Sequence, residues 1–143
     1  AVEIISDEYF PKDLYILDLR EDVIFDKERS RMYFDMLTFT MIIPADNTLK
    51  GFDEPVASFK YKDLIEIFRQ DDRAVYHNAL NDAEQINFAD AIKLRLFSSY
   101  ITKVSNPKDE FLSDIHGGAD GGINASRLEM YKLFEYEHNL WEY

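Results

Sequence analysis

Hydrophobic residues change their spacing partway along the chain. In "LYILDLREDVIF", Tyr15, Leu17, Leu19, Val23 and Phe25 fall on one side at period two, interrupted by Glu21, while Asp18, Arg20 and Asp22 take the other side. "RMYFDMLTFTMII" is rich in β-branched and aromatic residues, with Tyr33, Leu37, Phe39, Met41 and Ile43 in phase. Between the two runs lies the charged connection "DKERS", Asp26 to Ser30. Two such runs around a short polar loop predict an antiparallel hairpin. Pro44 and "ADNTLKGFDEP" end the second strand with turn residues, and "VASF" is a possible third strand.

Helical spacing takes over near residue 60. "YKDLIEIFR" places Leu64, Ile65 and Phe68 on one stripe. "DDRAVYHNALNDAEQI" is polar and irregular. Asn87 then caps a helix, with Asp90 in the first turn, where the positive helix end favours an anion. Ile92, Leu96 and Tyr100 recur at four, beside a second row of Phe97, Ile101 and Val104, until Asn106-Pro107 stops the pattern. "HGGADGGIN" is the glycine cluster, read as a mobile connector. Ser126 and Glu129 read as a capping box opening a last helix, with Leu128, Tyr131, Phe134 and Trp141 as its candidate buried positions.

The pattern predicts an α+β fold. An antiparallel β-hairpin or small sheet (about residues 14–60) packs against three α-helices (about 61–69, 88–104 and 126–142). One domain over 1–143 is expected, with 1–12 as an N-terminal extension and 106–125 as a loop holding the Gly-rich insert.

Composition narrows the function classes. Apolar residues make up 46% and aromatics 15%, so the chain can build a core. A formal net charge of −12 repels nucleic acid and anionic membrane surfaces. No cysteine is present, which removes disulfides, thiolate catalysis and zinc thiolate sites. No apolar run reaches the length of a membrane span. The opening "AVEIISDEYF" has no initiator Met, as expected of a processed or truncated form.

Candidate chemistry is sparse. Glu135-x-x-His138 has the spacing that turns a carboxylate and an imidazole the same way on a helix. A di-iron bundle needs two such motifs and two further carboxylates, and this chain has one. We therefore expect no metal and no cofactor there, with His138 half buried near Phe134 and Trp141, and Glu135, Glu137 and Glu142 solvated. "HGGADGG" lacks the G-x-S-x-G elbow of a lipase-like hydrolase, and it lacks the lysine of a phosphate loop. The acidic groups Asp18/Glu21/Asp22, Asp7/Glu8 and Asp71/Asp72 read as solvated faces. Lys27, Arg29 and Arg31 form a positive protrusion on a very negative protein, either a solvated turn or a contact point for a neighbour.

Three blocks in order, "LREDVIFDKERSRMYFDMLTF", "LNDAEQINFADAIKLRLFSSYITKVSNP" and "RLEMYKLFEYEHNLWEY", resemble the GldN/PorN family of gliding-motility and type IX secretion proteins of Bacteroidetes. The resemblance spans about Leu14 to Tyr143. Its most specific parts are Glu21-Asp22, Phe25-Asp26, Arg29-Ser30, Arg95 to Asn106, and Glu137-His138-x-Leu140-Trp141. It implies a non-enzymatic structural subunit acting by protein–protein contact in a periplasmic ring complex, its signal peptide removed and its link to the outer membrane made through partners. The implied partners are an outer-membrane lipoprotein of the GldK/PorK type, the periplasmic part of a GldM/PorM-type motor protein, and further copies of itself. The alternative from the residues alone is a carboxylate-based hydrolase or metal-binding enzyme, recognisable by titratable side chains converging in a pocket.

Overall fold

The computed structural model describes residues 10–78, 81 and 84–141. The Asp7/Glu8 pair, Glu142 and most of the N-terminal extension lie outside the described residues. The fold is mixed α+β, as the spacing predicts. Strands β1 (Ile16–Asp26), β2 (Arg31–Ile43) and β3 (Glu54–Lys60) form a sheet in that order. Helix α1 (Tyr61–Gln70) follows, then a ribbon of β4 (Val75–His77) and β5 (Gln85–Asn87), and the short helix α2 (Phe88–Lys93). Helices α3 (Leu112–Ile115) and α4 (Ala119–Asn139) close the chain.

Contacts divide the chain into two compact units. One takes Ala1–Asp22 and Phe34–Lys93; the other takes Val23–Tyr33 and Leu94–Tyr143. Strands β1 and β2 contribute residues to both.

In the first unit, β2 pairs antiparallel with β3 from Thr38↔Lys60 to Ile43↔Glu54, and Phe39 lies opposite Phe59. The register shifts between Met41 and Ile42, as a β-bulge does. Met36, Phe39, Ile65, Ala89 and Ile92 form the buried cluster, and Leu19, Leu64, Phe68 and Phe88 pack on it. The α1 stripe of Leu64, Ile65 and Phe68 thus faces inward as its spacing predicts. Asn87 performs two tasks at once. Its Oδ1 accepts from the Ala89 N–H at 2.8 Å, capping α2, and its Nδ2 donates to the Phe68 carbonyl at 2.8 Å, closing the end of α1.

Strand β1 half-buries Leu19, Glu21, Val23 and Phe25, so the expected phase holds there. Tyr15 and Leu17 are exposed. Strand β2 departs from one phase: Phe39 and Ile43 are buried on one parity and Met36 on the other, while Tyr33 is exposed. A single period-two stripe assumes that only one face of a strand is covered, and β2 is covered on parts of both.

The second unit departs most from the sequence pattern. The helix expected over 88–104 stops at Lys93, because Arg95 takes a left-handed backbone (φ 55°) that a helix cannot continue through. From Leu96 to Glu110 the chain has no helix or strand and is held by side chains instead. Asn106 Oδ1 accepts from the Lys108 and Glu110 N–H groups, and its Nδ2 donates to the Val104 and Glu110 carbonyls. The periodic residues Leu96, Phe97, Tyr100 and Val104 are exposed rather than packed on a helix face.

The glycine cluster is only half connector: Gly117 and Gly118 link α3 to α4, while Gly121 and Gly122 lie inside α4. Gly118 is the N-cap of α4 at φ 100°, so α4 begins seven residues before Ser126 and takes Gly121 and Gly122 inside it. The capping box is therefore absent. Ser126 is buried in mid-helix, and its Oγ accepts the Ile101 N–H at 2.7 Å, which fixes the irregular segment. Gly122 lies against Ser113 of α3, where an added Cβ would come within 3.0 Å of Ser113 Cα.

Candidate interaction surface

Asp26 builds the turn between β1 and β2. Its Oδ1 accepts from the Glu28 and Arg29 N–H groups at 3.0 and 3.1 Å, and its Oδ2 pairs with Arg29 Nη1 at 3.1 Å. Ser30 completes the turn in the left-handed region (φ 50°). Its hydroxyl donates to the Leu140 carbonyl at 3.0 Å, and the Trp141 indole N–H donates back to the Ser30 carbonyl at 3.3 Å. The turn is thus seated on the end of α4. Phe25 extends the same contact, with its ring 5.4 Å from that of Tyr136. Lys27, Arg29 and Arg31 are exposed, and the Arg29 side chain keeps 74% of its surface despite its ion pair. Such exposed pairs stabilise by about 0–1 kcal/mol, so the pair leaves Arg29 available to a partner.

Helix α4 points its small side inward. Gly121 and Gly122 are partly covered, and Ala125 and Ser126 are buried. The expected buried positions turn outward instead: Tyr131 is 67% exposed, Phe134 58% and Trp141 54%, and Leu128 is exposed with them. Size misleads here, because a close helix–helix approach selects small residues for the packed face and leaves the large ones on the opposite face. The signal was in the sequence, as four small residues at 121, 122, 125 and 126 share one helical side. Trp141 does not close a core. Trp141→Ala is expected to cost about 1–2 kcal/mol in a denaturant melt, against the roughly 3–5 kcal/mol of a fully buried ring.

Glu135 and His138 stand exposed on α4, and the His138 ring lies 5.8 Å from that of Trp141. The half-buried, hydrogen-bonded setting expected for His138 is not what the helix provides. Among the described residues, no three His, Asp or Glu side chains converge as metal ligands would. The first unit holds a pocket of about 220 Å³, lined by Leu17, Phe39, Met41, Phe59, Leu64, Phe68 and Ile92, all apolar. The Asp71 carboxyl is lowered to about 2, chiefly by the Arg73 side-chain hydrogen bond, and this pair is on the surface.

No helix of the described residues is long and apolar enough to cross a membrane. A family model described as gliding motility associated protein GldN matches residues 1–142. No curated protein and no solved structure matches the chain.

Proposed function

We propose that this chain, which belongs to the GldN family of gliding motility associated proteins, is a non-enzymatic structural subunit of a type IX secretion and gliding machine. It works by protein–protein contact in a periplasmic ring complex. Its partners in this reading are an outer-membrane lipoprotein of the GldK/PorK type, the periplasmic part of a GldM/PorM-type motor protein, and further copies of itself. One observation carries the reading: the second unit keeps its large apolar side chains outside. Among its described residues only Leu112, Ala125 and Ser126 are buried, while Phe97, Tyr100, Tyr131, Phe134 and Trp141 are exposed. Apolar surface left outside on this scale marks interaction sites, and aromatic residues are enriched where proteins meet. The alternative, a carboxylate-based hydrolase, calls for titratable groups around a pocket, and the pocket of the first unit is lined by apolar side chains.

The basic turn supplies the test. Arg29→Glu with Arg31→Glu is expected to leave the chain folded, since surface changes shift stability by about 0.5 kcal/mol or less. Association with the lipoprotein and motor-protein partners should slow, most clearly at low salt, because exposed charges steer encounter and are screened. Wild-type association rates for the double variant across a salt series would reduce Lys27, Arg29 and Arg31 to a solvated turn.

A further inference from the structure

The outer face of α4 is continuous. Ile123, Tyr131, Phe134 and His138 follow one another at helical spacing, with Arg127 between the first two. The His138 ring lies 5.8 Å from that of Trp141, tilted by 48°, and the Trp141 indole N–H donates to the Ser30 carbonyl of the basic turn. The face from Ile123 to His138 is thus about four turns long, its last two turns aromatic, and it ends beside Ser30, the residue between Arg29 and Arg31. The surface is mostly apolar, with Arg127 within the row, and has Arg29 and Arg31 beside its end.

Charge favours one kind of occupant. The second unit carries eight basic and ten acidic residues, whereas the first carries eight and eighteen. Most of the negative field thus belongs to the other unit. A segment with acidic residues can approach this surface if those residues meet the turn. An anionic lipid surface fits less well, since Asp120 and Glu135 lie on the same helical side as the row. A convex helical ridge of this spacing packs best against another helix, whose side chains at three- and four-residue intervals fill its grooves.

We infer that the outer face of α4 from Ile123 to Trp141, with Arg29 and Arg31 at its end, docks an amphipathic helix of a partner protein that carries acidic residues at the end meeting the turn. The inference rests on the reading of the chain as an assembly subunit and adds the surface and the chemistry of its partner. The aromatic row supplies the affinity and the arginines set the direction of the bound helix.

The test uses the full chain with Tyr131→Gln and Phe134→Gln together. Both side chains are more than half exposed, so the variant should keep the wild-type circular dichroism spectrum and melting curve. Its affinity for whichever of the lipoprotein and the motor protein binds the wild type should fall by about 30-fold or more, the loss typical of an interface hot spot. A photo-crosslinking amino acid at Phe134 provides a second readout that needs no folding control. Its adducts should map to a partner segment with apolar residues at helical spacing and acidic residues at one end. Unchanged affinity in the double variant, with the wild type still binding, would overturn the docking surface and leave the assembly reading intact. Adducts confined to a second copy of the chain, or binding only to anionic phosphatidylglycerol vesicles, would overturn the proposed occupant. Absence of wild-type binding to the lipoprotein, to the motor protein and to itself would remove the assembly reading and this inference with it.

Discussion

Gly121→Ala is expected to destabilise the second unit by about 3 kcal/mol, although alanine is the better helix former by about 1 kcal/mol. The gain in propensity acts on a helix whose N-terminal turns are already held against α3. A Cβ at Gly121 would fall inside the contact distance of the His116 carbonyl oxygen and carbon, which are backbone atoms and cannot swing aside. Either the start of α4 unwinds or the chain before it moves, and α3 depends on both. Gly122→Ala makes a useful contrast. Its Cβ would meet Ser113 at 3.0–3.2 Å, a clash of a few tenths of an ångström that the propensity gain can largely offset. The single tryptophan, Trp141, lies in the same unit, so its fluorescence reports that unit's unfolding in denaturant. A loss under about 1 kcal/mol for Gly121→Ala would mean that the glycines are tolerated spacers rather than a required close approach.

These glycines also show where the sequence was legible and where it was not. The period-two runs form strands where the spacing puts them, although their burial phase holds only in part, and the α1 stripe and the Asn87 cap are found as read. The basic turn was legible too, because Asp26 and the polar run between two strands have standard turn chemistry. Beyond Lys93 the local signal misleads. Leu96, Phe97, Tyr100 and Val104 have helical spacing, but Arg95 adopts a left-handed conformation and the segment bonds through Ile101 to Ser126, a partner 25 residues on. Glycines in a row read as a flexible linker, yet at 121 and 122 they let α3 approach α4. Large apolar side chains are usually buried, which is why spacing alone assigns the α4 aromatics to a core. A helix that packs by its small face inverts that rule, and the same inversion builds the candidate interaction surface.

Phe39→Ala should be the most damaging single substitution in the first unit, at about 3–5 kcal/mol. The ring is only 4% exposed and sits in the cluster with Met36, Ile65, Ala89 and Ile92. It stacks on Tyr61 at 5.9 Å and lies opposite Phe59 on β3, so its removal weakens the strand pair and the seat of α1 together. The neighbouring pocket of about 220 Å³ works against recovery. Phe39 forms part of its wall, and an alanine there enlarges a space that the surrounding side chains already fail to fill. The cost thus falls toward the upper end of the range for Phe→Ala, since that range widens with the volume left behind. Hydrogen exchange read amide by amide is the appropriate measurement, because it separates the two units. Amides of β2, β3 and α1 should lose protection by two or more orders of magnitude, equivalent to about 3 kcal/mol. Protection lost equally by α4 would indicate that the two units unfold together. A loss of less than tenfold in β2 and α1 would show that the apolar pocket collapses to replace the ring, and that Phe39 is not the centre of the core.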